Sequence, residues 1–467
     1  MSDLGLDIAS SGIAAQQALL DTTAQDLANV STPGYARETV NLQPLAPASA
    51  NGVGQGVLVG SVTSTTSSLY EQLNMIAQAN LGAANEAQTV TSSAQTAFPE
   101  PGSNGLQSQL SQLWTDMSAL ATSPANAASA DTVIRDASNV AGMMNQMSSS
   151  MTATATQLQN DLTGSGSGQG GLIGQVNSLL TQVAQLNAGI VAGGGGGLDV
   201  NTLMDQRRND LNQLASMIGI RTATSQTGAV TVYSGGISLV QDATATALQP
   251  TGSASGANLG VETSAGVALA PGGQIGALLQ GVNTTLPGYQ SQLDGVADKL
   301  ATTLNALQAS GTSAGGTSGS ANPTLFVNQG SSTTYTAGAG SAATIAVSGA
   351  LLANPSLIST AAGSVTGASI DPTTIQAMAA LGSQTGGPDD LYQQLVGVVG
   401  SQAQTAQNAA TNAQALSSST TASLSSVEGV DTNEETVNML SAQRAFQATA
   451  QVINSMNTSF QALLQAV

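Results

Sequence analysis

Residues 438–467 read NMLSAQRAFQATAQVINSMNTSFQALLQAV, and within them Met439, Phe446, Ile453, Phe460 and Val467 recur at seven-residue intervals. Three residues after the first four of these come Ala442, Thr449, Met456 and Leu463. Alternating steps of three and four place all these side chains on one stripe of an α-helix, the a/d pattern of a coiled coil. At ~1.5 Å per residue the helix is roughly 40 Å long, and its apolar stripe needs a partner that covers it.

The N-terminal residues carry a stripe of the same period, made by Leu6, Ile13, Leu20 and Leu27, with Ala9, Gln16, Thr23 and Val30 as weaker d positions. Because both ends of the chain carry such a stripe, we expect two helices that pair antiparallel with these stripes facing each other. This pairing brings the termini together. The alternative is that each helix packs on a separate core, since heptad runs this short do not distinguish the two arrangements.

The middle of the chain shows both helical and strand-like patterns. Apolar stripes predict helices over 173–190, over 204–218 and, longest, over 275–307, where Pro287 predicts a kink. Residues 222–240 alternate in polarity and contain a glycine turn at 234–236, which predicts a β-hairpin. Much of 311–372 is rich in Thr, Ser and Gly with short β-branched runs, which indicates further strands.

These patterns predict an α+β fold: an elongated multidomain chain with a long helical bundle or coiled coil formed by both termini and an inserted, β-rich outer domain. We predict three domains. Residues 1–60 with 425–467 form the terminal helical domain, 61–218 with 272–310 and 373–424 form a helical bundle domain, and 219–271 with 311–372 form the outer β-rich domain.

Composition excludes several partners. The 467 residues include 26 acidic and seven basic side chains, for a formal net charge of −19. Nucleic acid and anionic membrane surfaces are recognised by clustered Lys and Arg, so neither is expected to bind. No apolar run is long enough to cross a bilayer, so no membrane insertion is expected. Aromatic residues make up only 2% of the chain, which favours packing through small side chains.

The chain contains no cysteine and no histidine, so disulfides, thiolate metal sites and imidazole chemistry are excluded. The carboxylate pairs Asp389-Asp390 and Glu434-Glu435 each suit the first turn of a helix. We therefore predict a protein that is not an enzyme, with no catalytic, cofactor-binding or metal-binding residues. An enzyme would need an acidic site among the outer loops. The first residues show no basic and apolar segments of a signal peptide, so none is expected.

Residues 28–35 read ANVSTPGY, in which Pro33 ends a helix, Gly34 permits a positive φ and Tyr35 can dock its ring. This segment resembles the A-N-x-x-T-P-G-Y signature of flagellar rod, hook and hook-associated proteins. Residues 429–435 (GVDTNEE) and 443–448 (QRAFQA) look like the C-terminal signature of the same axial family. Two signatures at opposite ends and in the right order are much more specific than either alone.

The middle of the chain indicates which branch of the axial family the sequence resembles. Hook and distal-rod proteins carry a G-x-G-F-F segment, which the four phenylalanines here do not form. Residues 173–190, 204–211 (MDQRRNDL) and 235–240 (GGISLV) look like the central region of the hook-associated protein 1 family. The resemblance covers about two-thirds of the chain, whereas 241–270 and 311–372 resemble no segment that we can place.

The resemblance implies a structural component of the bacterial flagellum, secreted by the type III route with an export chaperone and found outside the cell. It implies a junction ring of about eleven copies between the hook protein and the third hook-associated protein. The residues expected to form the assembly interface are Leu6, Ile13, Leu20, Leu27, Asn29, Pro33, Gly34, Tyr35, Met439, Phe446, Ile453, Met456, Phe460 and Leu463. The alternatives are another axial protein of the hook or rod type, and a secreted surface adhesin with a helical stalk.

Overall fold

The structure, a computed structural model, describes residues 2–47, 54–102, 105–164, 170–194, 198–253, 258–313, 322–362 and 371–465. The helices are α1 (Ser2–Asn29), α2 (Ser68–Gln95), α3 (Leu106–Thr122), α4 (Ala127–Thr163), α5 (Leu172–Ala192), α6 (Leu198–Ile218), α7 (Gly273–Gln280), α8 (Leu286–Ser310), α9 (Ser341–Thr344), α10 (Gly349–Ala353), α11 (Thr373–Ala379), α12 (Pro388–Glu428) and α13 (Thr432–Gln465).

The strands are short and antiparallel. They are β1 (Glu38–Pro44), β2 (Val57–Ser64), β3 (Arg221–Thr224), β4 (Val230–Ser234), β5 (Ile237–Gln241), β6 (Thr244–Ala245), β7 (Leu248–Thr251), β8 (Gly260–Thr263), β9 (Ala268–Leu269), β10 (Thr312–Ser313), β11 (Phe326–Asn328), β12 (Ile345–Val347) and β13 (Ser359–Ala361). Long helices at both ends and strands in the middle confirm the predicted α+β class.

The two ends of the chain meet. Helix α1 packs along α13, and the β1–β2 hairpin packs on α1. The pairing of terminal helices predicted from their common period is therefore confirmed. No described helix combines the length and the hydropathy of a bilayer-spanning segment.

The helical body is built on the antiparallel packing of α2 against α12. Gln78 Nε2 donates to Ser417 Oγ at 3.2 Å, and the Ser67 amide donates to Glu428 Oε1 at 2.6 Å. Between residues 403 and 413 of α12 the buried positions are all alanines, which are Ala403, Ala406, Ala410 and Ala413. Small side chains let the two helix axes approach closely, as the low aromatic content predicts.

Pro287 predicts a kink in this helix, and the structure has an irregular turn immediately before Pro287. Pro287 is in the first turn of α8, and the preceding turn, Gly281–Thr285, is π-helical. A proline has no N–H to donate to the preceding turn, and a wider turn there removes the clash of its ring with a carbonyl. Helices α7 and α8 therefore form one long helix with a local defect, close to the predicted 275–307.

The predicted hairpin in 222–240 is confirmed. Strands β4 and β5 pair around Gly235 and Gly236, whose φ angles are +55° and +84°. In the described ranges, strands β3–β9 pair only with each other, and strands β10–β13 do likewise. The two stretches assigned to one outer domain thus form separate sheets, and the division of the chain into three domains stays a prediction.

A cluster of buried polar side chains holds α6 against α5 and against the sheet formed by β3–β6. Asn187 Nδ2 donates to the carbonyls of Val230 and Asp242, both at 2.8 Å. Arg207 Nη1 donates to Asn187 Oδ1 at 2.9 Å and to the Gly228 carbonyl at 2.7 Å. Burial lowers the pKa of Arg207 to about 10, because a cation is poorly solvated there.

The substitution Asn187→Ala is expected to lower the free energy of unfolding by roughly 3 kcal/mol or more, because it leaves buried carbonyls and the Arg207 guanidinium without a partner. Urea denaturation measures this change. The matched control is Asn80→Ala, at an exposed position of α2, which should shift the midpoint little. Equal midpoints for the two variants would contradict the role given to Asn187.

Candidate assembly site at the paired termini

The contact between α1 and α13 is made at positions seven residues apart. A Cβ on Gly5 would overlap Met456 Cε, and a Cβ on Gly12 would lie 3.4 Å from Thr449 Cγ2. Seven residues forward along α1 therefore correspond to seven residues backward along α13, which makes the pair antiparallel. Ala442, which lies a further seven residues back, is only 5% exposed. Small side chains line this contact and permit a short distance between the helices.

The expectation that the leucine stripe of α1 forms the centre of this contact is wrong. The line through Gly5 and Gly12 lies one residue before Leu6 and Ile13. Leu6 is 43% exposed, and Ile13, Leu20 and Leu27 are only partly buried. The glycines occupy the centre of the contact because they allow α13 to approach α1 most closely. The β1–β2 hairpin covers another side of α1. The leucine stripe is left along the flank of the pair.

The apolar residues of α13 are likewise divided between the centre of the contact and its flank. Ala442, Thr449 and Met456 lie on the side that faces α1. Met439, Phe446 and Ile453 are partly buried beside them, and Phe460 is 49% exposed. The side chain of Leu463 lies outside the described residues. The pair thus has a small-residue centre and a flank of larger apolar side chains that remain partly in contact with solvent.

The segment after α1 folds back onto the end of that helix. Tyr35 Oη donates to Asp26 Oδ1 at 2.7 Å, and the Glu38 amide donates to the same oxygen at 3.0 Å. Gly34 has a φ of +78°, as the sequence predicts for this position. Asn29 Nδ2 donates to the Gln25 carbonyl at 3.0 Å, which extends the last turn of α1. Pro33 is exposed in the loop.

One face of α6 holds this loop and the hairpin through their backbone. Arg208 Nη1 donates to the Gly34 carbonyl at 2.8 Å, and Asn209 Nδ2 donates to the Pro33 carbonyl at 3.2 Å. Asn201 Nδ2 donates to the Val62 carbonyl at 3.2 Å, and the Asp205 carboxylate accepts from the Ala36 amide. Spacings of four, seven and eight residues from Asn201 put these side chains on one helix face. We call this face the α6 cradle.

Residues 204–211 resemble a segment of a known family, but their sequence pattern does not predict the α6 cradle. Polar side chains on an amphipathic helix are normally a solvated face, so pattern alone does not distinguish a cradle from bulk surface. The available signal is the adjacent pair Arg207-Arg208, which holds two of only seven basic residues in the chain.

Two arginines compensate a surplus of carboxylates around the loop. Arg208 Nε lies 2.8 Å from Glu71 Oε1 and 4.0 Å from Glu428 Oε2, while its Nη1 lies 3.0 Å from Asp205 Oδ1. Arg37 Nη2 lies 2.8 Å from Glu434 Oε1. The Arg37 Nε atom lies 2.7 Å from Glu435 Oε1, an ion pair without hydrogen-bond alignment.

Buried carboxylates at this position are held at raised pKa values. Burial raises the pKa of Asp205 to about 6, even though Arg208 and the Ala36 amide lower it. Burial also raises the pKa of Asp26 and of Glu38. One oxygen each of Asp26 and Glu38 has no hydrogen-bond partner among the described residues. The connection between the terminal helices and the body therefore buries carboxylates whose charged form is poorly solvated.

An open groove of about 680 Å³ lies beside this connection. Its walls are the loop 30–35, the α6 cradle, α2 near Asn74 and the C-terminal part of α12 near Glu428. The terminal helices thus meet the body through polar side chains that bind backbone, next to a space open to solvent. Such contacts position one part of the chain relative to another.

Two sequence-family models match the chain. One, described as "Flagellar hook-associated protein FlgK helical domain", matches residues 91–322. The other, described as "Flagellar basal body rod FlgEFG protein C-terminal", matches residues 425–466, which include α13.

Curated relatives and a solved structure resemble the chain. Flagellar hook-associated protein 1 of Bacillus subtilis is 28% identical over 234 residues, which is 48% of this chain and 45% of that protein. The protein of the same name from Escherichia coli is 26% identical over 268 residues, 52% of this chain and 44% of the relative. The chain thus spans about half the length of the curated relatives it matches. The flagellar hook junction protein FlgK from Burkholderia pseudomallei has a similar fold, with a TM-score of 0.63 and 16% identity over 77% of this chain and 100% of that chain.

The substitution Gly34→Ala is expected to loosen the loop by about 1–2 kcal/mol, because a side chain strains the left-handed backbone. Its Cβ would also lie 3.3 Å from Asn209 Cγ. Amide hydrogen exchange in peptides covering residues 30–40 should become about 5- to 30-fold faster. The control Gly288→Ala adds a Cβ with nothing within 4 Å and should leave those peptides unchanged. Equal exchange in wild type and Gly34→Ala would contradict the assignment.

The pKa of Asp205 predicts how the connection responds to pH. The folded pKa of about 6 exceeds the ordinary value of 3.8, so the folded state binds the proton more tightly. The resulting stabilisation is fully present below pH ~4 and is lost as the pH rises through ~6. The substitution Asp205→Asn should remove this pH dependence, of which about 1.4 kcal/mol falls between pH 5 and pH 8. Hydrogen exchange of residues 33–37 at pH 5 and pH 8, corrected for intrinsic rates, measures it. A variant with the pH dependence of wild type would contradict the prediction.

Proposed function

The chain belongs to the family of flagellar hook-associated protein 1, and on that premise we propose that it is a structural component of the bacterial flagellum at the junction of hook and filament. In this proposal about eleven copies form a ring between the hook protein and the third hook-associated protein. The chain acts by filling a place in an assembly and catalyses no reaction.

The observation that carries the proposal is where apolar side chains meet solvent. Of the nineteen large hydrophobic side chains that are exposed among the described residues, fifteen lie within residues 4–76 or 416–460. These ranges comprise the terminal helices, the hairpin and the adjoining ends of α2 and α12. Exposed apolar surface concentrated at one part of a protein is typical of an interaction site.

We assign the contacts between copies to the flank of the α1–α13 pair. The residues are Leu6, Ile13, Leu20, Leu27, Met439, Phe446, Ile453, Phe460 and Leu463. Met456, which is also expected there, packs instead against Gly5 of its own chain. Covering one half-exposed leucine or phenylalanine contributes about 1 kcal/mol, so several along a helix suffice to hold neighbouring copies. Asn29, Pro33, Gly34 and Tyr35 shape the loop that sets the direction of the helices relative to the body.

We also propose the route by which the chain reaches the junction of hook and filament. The chain leaves the cell through the flagellar type III export channel in an unfolded state, after release from an export chaperone. It then folds outside the cell, where its terminal helices are covered by neighbouring copies. The absence of cysteine is compatible with that route, since no disulfide has to form after export.

Deletion of the gene in the source bacterium tests whether the chain is needed at the junction of hook and filament. The deletion strain should assemble complete hooks but no attached filaments, and the wild-type gene should restore filaments. Loss of the hooks themselves would favour a hook or rod protein. Normal motility together with loss of surface attachment would favour an adhesin. Either result would overturn the proposal.

The substitution Leu20→Asp is expected to abolish or strongly reduce filament attachment when it replaces the wild-type gene, because a charge on the flank opposes burial between copies. Electron microscopy counts the cells with filaments. The matched control is Leu352→Asp in α10, a leucine that is 52% exposed far along the chain from the terminal helices. Wild-type filament numbers in the Leu20→Asp strain would contradict the assigned interface.

A further inference from the structure

A cavity of about 360 Å³ lies in the body of the protein, between α2, α6 and the strands β3 and β4. Thr66 and Ser68, where the chain passes from the β1–β2 hairpin into α2, also line it. Its apolar wall is made by Met75, Met204, Leu211, Val230 and Leu424. Cavities of roughly 300–1,000 Å³ with apolar walls and a few polar groups are typical binding sites for small molecules.

Arg207 places a buried guanidinium in the wall of this cavity. The residue is only 7% exposed, and both hydrogen bonds that it donates to described residues come from its Nη1 atom. Its Nε and Nη2 atoms are not fully enclosed by protein, so they face the cavity that the residue lines. These two atoms carry parallel N–H groups, which match the two oxygens of a carboxylate.

No ion pair neutralises the positive charge of Arg207 within the described part of the chain. Glu71 also lines the cavity, but its Oε1 atom lies 2.8 Å from Nε of Arg208. Burial lowers the pKa of Arg207 only to about 10, so its side chain is still charged at neutral pH. A buried cation without an anion beside it is stabilised by an anion that binds there.

The other groups of the cavity favour a carboxylate with a hydrocarbon body over other anions. Inorganic phosphate would bring up to two negative charges close to Glu71 and no apolar atoms to cover the wall. The side chains of Met75 and Met204 are flexible and polarisable, and they adapt to hydrocarbon groups of different shape. The hydroxyl groups of Thr222 and Thr224 also line the cavity and can donate to a carboxylate oxygen.

We propose that this cavity binds a small monocarboxylic acid, with the carboxylate on the Nε–Nη2 edge of Arg207 and the hydrocarbon part against Met75 and Met204. Because α2, α6 and β3 all line the cavity, the bound acid also stabilises their packing against each other. The inference goes beyond the proposed function, since the cavity lies within one copy of the chain and needs no neighbour.

Titration of the purified full chain with hexanoate tests the site. Calorimetry should show saturable binding of one molecule per chain at millimolar concentrations or below. Two matched ligands separate the charge from the hydrocarbon part: 1-hexanol has the tail without the charge, and acetate has the charge without the tail. Each should bind roughly tenfold or more weakly than hexanoate. Binding of hexanol as tight as that of hexanoate, or no saturable binding of hexanoate, would overturn the inference.

Three variants locate the binding site. Arg207→Gln removes the charge and should weaken hexanoate binding roughly tenfold or more. Met204→Trp fills the cavity, leaves Arg207 in place and should abolish binding. The matched control is Arg221→Gln, at an exposed position of β3 whose side chain points away from the face that Thr222 and Thr224 share. It should bind hexanoate as wild type does.

Arg207 also holds the β3–β6 sheet, so Arg207→Gln may alter folding, and circular dichroism of each variant checks this. Met204→Trp keeps the test decisive if Arg207→Gln does not fold. Wild-type binding in a folded Met204→Trp variant, or an equal loss in Arg221→Gln, would overturn the inference.

The carboxylate can come from a free acid or from a glutamate side chain of another polypeptide, and a second titration distinguishes the two. A short capped peptide with one central glutamate and no other charge should bind more weakly than hexanoate if the natural ligand is a free acid. Binding as tight as that of hexanoate would assign the carboxylate to a protein partner.

Hydrogen exchange then places the ligand on the structure. Saturating hexanoate should slow exchange in peptides covering residues 64–75 and 204–212 and leave peptides covering 341–353 unchanged. Slower exchange only outside the segments that line the cavity would contradict the proposed position.

Discussion

The close packing of α1 against α13 is the interaction on which the arrangement of the chain ends depends. Gly5 and Gly12 provide the surface into which Met456 and Thr449 fit. Because the centre of the contact is made of small residues, the larger apolar side chains of both helices are displaced to the flank. One packing choice therefore makes the pair and also leaves apolar side chains partly exposed along its flank.

The sequence predicts the terminal helices well but misplaces their contact by one residue. Heptad analysis ranks positions by apolarity, so it selects Leu6 and Ile13 as the centre. It does not register that glycine at the preceding position lets a neighbouring backbone come closer than leucine allows. The period is thus visible in the sequence, whereas the side of the helix that is buried depends on the shape of the partner.

The α6 cradle escapes prediction for a different reason. Arg208 and Asp205 bind backbone atoms of a loop more than a hundred residues away in sequence, and such contacts leave no periodic pattern. The separation of the strands into two groups of sheets is likewise decided by tertiary contacts, because strands of two to five residues pair according to their surroundings. The hairpin at Gly235-Gly236 is predicted correctly, since its turn chemistry is local.

The central claim is that α1 and α13 pair antiparallel with Gly12 against Thr449. The most direct measurement is disulfide formation in Gly12→Cys/Thr449→Cys, because a disulfide requires Cβ atoms about 3.5–4.5 Å apart. The account predicts that this pair closes within a single chain on mild oxidation, and that Gly12→Cys/Ala445→Cys, displaced by one helical turn, does not. Equal closure of the two pairs, or closure of the displaced pair alone, would contradict it.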